Sequence, residues 1–205
     1  MSRSPELIGQ ARALVAARLT PASAAHSERV ARTAVELARR VGVDEADAEL
    51  AALLHDYARD LGHEELAAQV EDLAVPVLEF EQEHPQLLHA RLGAALVRRD
   101  LPGVGEAVLS AIEVHTVGAL PMSDLDRVVF MADMIEPARN YQGVDEVRAT
   151  CASATLAECF RVGYGRTVRH LMQTGCPVHP ISAAVGAQIE RETGRALFDP
   201  PEVGR

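Results

Sequence analysis

The chain contains no lysine and no tryptophan, and its aromatic rings other than histidine come to three Tyr and four Phe. Every one of its 20 basic side chains is therefore Arg, set against 30 acids for a formal charge of −10. A chain this acidic lacks the clustered positive surface that gives phosphate-backbone affinity, which excludes a generic nucleic-acid binder. Any phosphate must be met locally, by a few arginines or by a metal ion. Three cysteines, Cys151, Cys159 and Cys176, are odd in number and lack CxxC spacing. That pattern argues against a disulfide framework and for a reducing, cytoplasmic setting. Cys151 and Cys159 fit one face of a single helix and are expected in or near the core. No opening stretch resembles a signal peptide, and no apolar run reaches the length of a membrane span. A Gly-rich phosphate loop, an internal repeat and a convincing alternating strand are also missing.

What is present is Ala, Leu and Val in helical register. A chain of 205 residues is expected to form one all-α domain over 1–197, with 198–205 a disordered tail. Helices are expected over about 5–19, 24–41, 45–59, 62–73, 85–99, 105–114, 124–135 and 182–193, with 144–152 merging into 154–172. Asp44 caps the third of these, and its last turns carry His55 and Asp56. The segment 80–86 reads as acidic and irregular. His63 is expected to be solvated, and His84 to lie in a loop without a role. The helix over 124–135 is apolar nearly all round, hence buried, yet it contains Asp133. A buried carboxylate is costly unless a cation or metal faces it.

Six residues carry the chemistry: His26, His55, Asp56, His89, His115 and Asp133. Each falls at or near the inner face of a helix or helix end. Imidazole offers a neutral nitrogen and carboxylate a hard anionic oxygen, a donor mixture that suits Fe, Mn, Co or Zn. Any one of these histidines alone would also fit a core imidazole satisfied by one backbone bond. Ligands gathered across a helical bundle make a shared centre the better reading of all of them together.

The wording around these residues is specific. HSERVA, LLHDYARDL, LLHARLGAALV, AIEVHTVG, MSDLDRVVFMADMIEPARNYQGVDEVR and GCPVHP resemble the HD-domain metal-dependent phosphohydrolases. Within them, the likeness is to the YqeK group of symmetrical bis(5'-nucleosyl)-tetraphosphatases, over 19–190. The resemblance implies an HD-domain helical bundle that hydrolyses diadenosine tetraphosphate to two ADP using bound iron. One or two ions are compatible with it, and Mn, Co or Zn remain open.

Carried over by motif, His26, His55, Asp56 and Asp133 become metal ligands, while His89 and His115 hold a second metal or contact phosphate. Asp56, His89, His115 and Arg59 form the implied catalytic set. Arg139, Thr116 and Gly118 face the nucleotide, joined by His26 and Asp133, and the loop 175–180 with Gly175 and Pro177 lies near the nucleoside. The family commonly has a basic residue where this chain has Ser23, and often Arg where it has Ala119; the loss of two cations bears on tetraphosphate binding and chain-length preference and leaves the metal ligands untouched. Two alternatives follow: another HD-domain nucleotide phosphohydrolase, or a catalytically weak nucleotide-binding regulator on the same fold. A purely structural bundle is a third. The expected partner is a small nucleotide, with no nucleic acid and no membrane, and Arg-rich helix faces leave a homodimer open.

Overall fold

Capping residues written in the sequence set where the helices begin and end. The computed structural model describes residues 4–198, all helix, turn and loop, with no strand among the described residues. The order is α1 (Ser4–Arg18), α2 (Pro21–Val41), α3 (Glu45–Leu54), α4 (His63–Asp72), α5 (Glu79–Glu83), a 3-10 turn (Pro85–Leu87), α6 (Leu88–Asp100), α7 (Glu106–Val114), α8 (Asp124–Ile135), α9 (Val144–Ser153), α10 (Leu156–Thr174) and α11 (Ile181–Thr193). Thr20 caps α2 ahead of Pro21, a residue preorganised for the first helical position. Gly42 closes α2 in the left-handed conformation and returns its N–H to Ala38. Asp44 accepts from the N–H groups of Ala46 and Asp47, both at 2.9 Å. Ser123 and Asp126 form a reciprocal capping box at the head of α8.

α2, α3, α7 and α8 make the centre. α2 packs on α3 and α8, and α7 on α3, α6 and α8; α1 covers α3, and α10 joins α8, α9 and α11. Small side chains permit the close approach of α2 to α3: Ala31, Ala34 and Ala38 meet a partner helix carrying Ala48, Ala51 and Ala52, all buried. Around them sit Leu53, Leu54, Leu92, Ile112 and Met131, fully buried. Each such side chain contributes about 1.5–3 kcal/mol of burial, so Leu54→Ala beside the site is expected to cost about 2–5 kcal/mol. No helix among the described residues is long and apolar enough to cross a membrane.

The structure departs from the sequence reading in three places. α3 stops at Leu54, and 55–60 follows in tight turns closed by Tyr57 N–H to Leu54 O at 3.0 Å and Arg59 N–H to Asp56 O at 2.8 Å. The stretch 80–86 is not irregular: α5 and the 3-10 turn occupy it, separated at His84, where the following Pro85 disfavours helical backbone.

Cys151 and Cys159 do not share a helix, and they form a disulfide, against expectation. Extended backbone at Ala154 and a Thr155 N-cap break the chain between α9 and α10. The break folds the two cysteines to a Cα–Cα distance of 4.9 Å, where one straight helix would hold them about 12 Å apart. Cys176 is a free, exposed thiol. Of the expected tail, Phe198 is half-buried with the Arg169 guanidinium 5.4 Å from its ring, and 199–205 lie outside the described residues.

Candidate metal centre

Five helices or helix ends deliver the six residues to one place. His26 lies in the second turn of α2, His55 and Asp56 just past α3, His89 in the first turn of α6, His115 at the end of α7 and Asp133 in the last turn of α8. Three of the imidazoles are tethered alike. His55 Nδ1 lies 2.7 Å from Ala52 O, His89 Nδ1 2.6 Å from Gln86 O, and His115 Nδ1 2.8 Å from Ile112 O. A carbonyl oxygen only accepts, so each Nδ1 carries the proton and each neutral ring leaves its Nε2 as a lone pair. At the C-terminal ends of α3 and α7 such carbonyls lack in-helix partners and the rings of His55 and His115 take them up, while His89, at the head of α6, uses a carbonyl of the preceding 3-10 turn.

The freed nitrogens converge on Asp56. Its Oδ1 is 3.2 Å from His89 Nε2 and 3.5 Å from His115 Nε2, and those two nitrogens are 3.3 Å apart. Its Oδ2 faces the other way, 3.4 Å from His55 Nε2 and 3.9 Å from His26 Nε2. Asp133 Oδ1 completes this second bay, 2.9 Å from His26 Nε2 and 3.8 Å from His55 Nε2. The residues thus fall into two candidate ligand groups sharing Asp56: His26, His55 and Asp56, and Asp56, His89 and His115.

These residues fit a metal. Lone pairs and carboxylate oxygens aimed at one another repel unless a cation or proton lies between them. His55 Nε2 and Asp56 Oδ1 are buried and make no well-directed hydrogen bond, a costly arrangement for polar atoms. Four histidines and two aspartates supply nitrogen and oxygen donors of the kind divalent transition ions accept.

Electrostatics agree. Burial works against a charged His55 ring, yet the Asp56 and Asp133 carboxylates outweigh it and push the group up to about 9. Burial would raise Asp56, but His55, His115 and His89 hold it far below the usual carboxylate range. Asp133, also desolvated, is held low by His26, His55 and Arg139. Burial and the neighbouring rings lower His115 against the pull of Asp56. The site is built to stabilise positive charge.

The other expected site residues are placed unequally. Arg139 grips Asp133 twice, through Nε on its carbonyl at 2.8 Å and through Nη2 on its carboxylate. Arg59 lies at the surface beside the cluster, its side chain 56% exposed and Nη1 3.5 Å from Asp56 Oδ1. Thr116 is half-buried in the turn after His115, where Gly118 has φ +83°. A Cβ at Gly118 would sit 3.2 Å from Met122 Sδ in a conformation side chains rarely adopt, so the turn needs glycine. Gly175 and Pro177 are exposed after α10, and no hydrogen bond or ion pair among the described residues joins them to the cluster. Ser23 donates to Asp60 Oδ1 at 2.8 Å.

Sequence reasoning missed Glu136. It is 2% exposed, with Oε1 3.2 Å from His26 Nδ1 and Oε2 accepting from Arg29 Nε at 2.6 Å and Ala138 N–H at 2.8 Å. Burial would raise this carboxyl, and Arg29, the Ala138 N–H and His26 together bring it below its ordinary value. The available signal was an acid directly after an otherwise apolar helix. A separate surface cavity of about 630 Å³ is lined by Arg91, Arg98 and Arg99 but by none of the six residues. Its arginines are already paired with Glu81, Glu106 and Asp100.

Comparison with known proteins follows the same lines. A protein of Bacillus subtilis (strain 168) named symmetrical bis(5'-nucleosyl)-tetraphosphatase is 38% identical over 171 residues, covering 83% of this chain and 91% of that one. One of the same name from Halalkalibacterium halodurans is 36% identical over 182 residues, covering 88% and 96%. A crystal structure described as a predicted HD superfamily hydrolase involved in NAD metabolism, from Clostridium acetobutylicum, superposes with a TM-score of 0.83 at 27% identity, over 90% of this chain and 97% of that one. The HD domain profile matches residues 24–138, a stretch that contains all six converging side chains, and the chain belongs to the HD-domain family.

Proposed function

We propose that this chain is a metal-dependent phosphoanhydride hydrolase that cleaves diadenosine tetraphosphate, and related dinucleoside polyphosphates, symmetrically to two ADP. The observation that carries the reading is the convergence of Asp56 with four imidazole Nε2 atoms, within 3.2–3.9 Å, into two bays sharing one carboxylate. Relatives of similar length carry the name of that activity. His26, His55, Asp56 and Asp133 would hold one ion. His89 and His115 would either complete a second site with Asp56 or meet a phosphate oxygen. Iron suits this nitrogen and oxygen donor set, as do Mn, Co and Zn. When bound, such an ion supplies Lewis acidity towards a phosphoryl oxygen and a lowered pKa for water.

The chain's own residues do the rest. A polyphosphate is strongly anionic and enters a centre rich in carboxylates, so repulsion must be offset at the mouth. Arg59, exposed and able to swing, can meet the incoming phosphates. Arg139, fixed on Asp133, offers a planar cation at a defined place for charge that builds during cleavage. Buried walls from α3, α7 and α8 exclude bulk water and strengthen each of these interactions.

Iron-loaded protein is expected to convert diadenosine tetraphosphate to ADP alone, as seen by ion-exchange chromatography. ATP plus AMP would mean asymmetric cleavage and overturn the reading. Ser23 turned onto Asp60 favours one second reading, a phosphohydrolase for shorter nucleotides. It requires kcat/KM to be higher for a nucleoside di- or triphosphate than for the tetraphosphate.

A further inference from the structure

The four imidazoles of the centre are not oriented by the same means. His55 and His115 stand just past helix C-termini and use carbonyls freed there, and His89, in the first turn of α6, uses a carbonyl of the turn before it. His26 stands inside α2, where the neighbouring carbonyls are engaged in the helix ladder. Its Nδ1 takes an acceptor from outside its own helix. Glu136, 110 residues further along the chain, supplies it: Oε1 lies 3.2 Å from His26 Nδ1.

We propose that Glu136 is a positioning residue that fixes His26 with Nδ1–H on Glu136 and with Nε2 directed into the bay formed with His55, Asp56 and Asp133. The proposal deepens the metal-dependent reading above and rests on it for the role of that bay. An ionised carboxylate has no proton to give, so Nδ1 must donate. A carboxylate partner on the far nitrogen also raises the donor strength of the near one, as it does for metal-bound histidines generally.

The surroundings hold Glu136 in place. Arg29 Nε and the Ala138 N–H occupy Oε2, and Oε1 takes the imidazole at 3.2 Å beside a longer contact from Arg29 Nη2 at 3.4 Å. Arg29 also offsets the cost of burying the acid. Behind it, Arg148 of α9 reaches Ile135 O at 3.1 Å, Glu136 O at 2.9 Å and Arg139 O at 2.9 Å. One guanidinium therefore closes the end of α8 and sets the backbone that presents both Glu136 and Arg139. The bay of His89 and His115 has no part in this network, so loss of Glu136 should be felt on one side of Asp56.

The test uses the full chain, Glu136→Ala and the near-isosteric Glu136→Gln. Mn²⁺ binding by equilibrium dialysis is paired with ¹⁵N–¹H correlation spectra of the histidine rings in the metal-free protein. Wild-type protein should show His26 protonated at Nδ1. Glu136→Ala should lose that signature and weaken Mn²⁺ binding by roughly 10–100-fold in the His26 bay alone. Glu136→Gln, whose amide oxygen still accepts, should recover part of both. The proposal is overturned if Glu136→Ala keeps wild-type affinity and ring signature, or if both bays weaken equally. It is equally overturned if Gln does no better than Ala. Failure of wild-type protein to bind Mn²⁺ would defeat the metal-dependent reading, while the ring spectra would still decide the Glu136–His26 pair.

Discussion

Arg139 holds Asp133 by both main chain and side chain, Nε on the carbonyl at 2.8 Å and Nη2 on the same Oδ1 that faces His26. The proposed phosphate-binding cation and the proposed metal-binding anion are thus one mechanical unit. Arg139→Lys keeps the charge but not the fork that spans both oxygens. It is expected to lower kcat by about 10²–10³-fold with metal content nearly intact. Steady-state kinetics beside elemental analysis check this, and a parallel loss of metal would show that Arg139 serves the ligand instead.

Asp56 serves both bays, and His115 only one. Asp56→Ala should abolish binding at both positions, whereas His115→Ala should leave the bay of His26, His55 and Asp133 loaded. Titration with Co²⁺, followed by its visible absorption, distinguishes them. Equal loss in the two variants would mean a single centre.

Metal removal should be visible as lost stability. Ligand at one hundred times its Kd stabilises a folded chain by about 2.7 kcal/mol, and each kcal/mol moves the midpoint of a chain this size by about 2–4 °C. Chelator-treated protein is therefore expected to melt roughly 5–10 °C lower. Added Mn²⁺ should restore the midpoint in wild type and not in Asp56→Ala. Scanning calorimetry is the measurement.

Asp60 ties the turn after α3 to the head of α2, accepting from Thr20 N–H at 2.7 Å and from Ser23 Oγ at 2.8 Å. Burial would raise its carboxyl, but these two donors bring it below the ordinary value. An acid with a depressed folded pKa stabilises fully above its unfolded value, about 3.9, and that contribution disappears as pH falls through the folded value. Because the residue is exposed, Asp60→Asn is expected to cost only about 0.5–1 kcal/mol at pH 7, and less at pH 3. Urea melts of both proteins at the two pH values test the sign. An undiminished difference at pH 3 would falsify it.

The helices were legible in the sequence because their stops are chemical: Gly42 after α2, Asp44 before α3, Ser123 before α8. The six converging side chains were legible because imidazoles and a carboxylate on apolar faces are expensive to bury without a purpose. Glu136 was not, since its meaning depends on His26 and Arg29, more than a hundred positions away. The Cys151–Cys159 bond escaped for a local reason. Helical periodicity ran on through Ala154, and only the Thr155 cap reveals that the chain turns back there. α5 escaped because five residues are too few to establish a period.

Tethering of His55, His89 and His115 to carbonyls three residues behind them has a kinetic corollary. Under the proposed function, fraying of a single terminal turn is expected to swing a donor out of the centre, so that ion release follows opening of these three helix ends. Ion exchange should therefore keep pace with amide deuteration at those termini and be indifferent to motions elsewhere in the bundle.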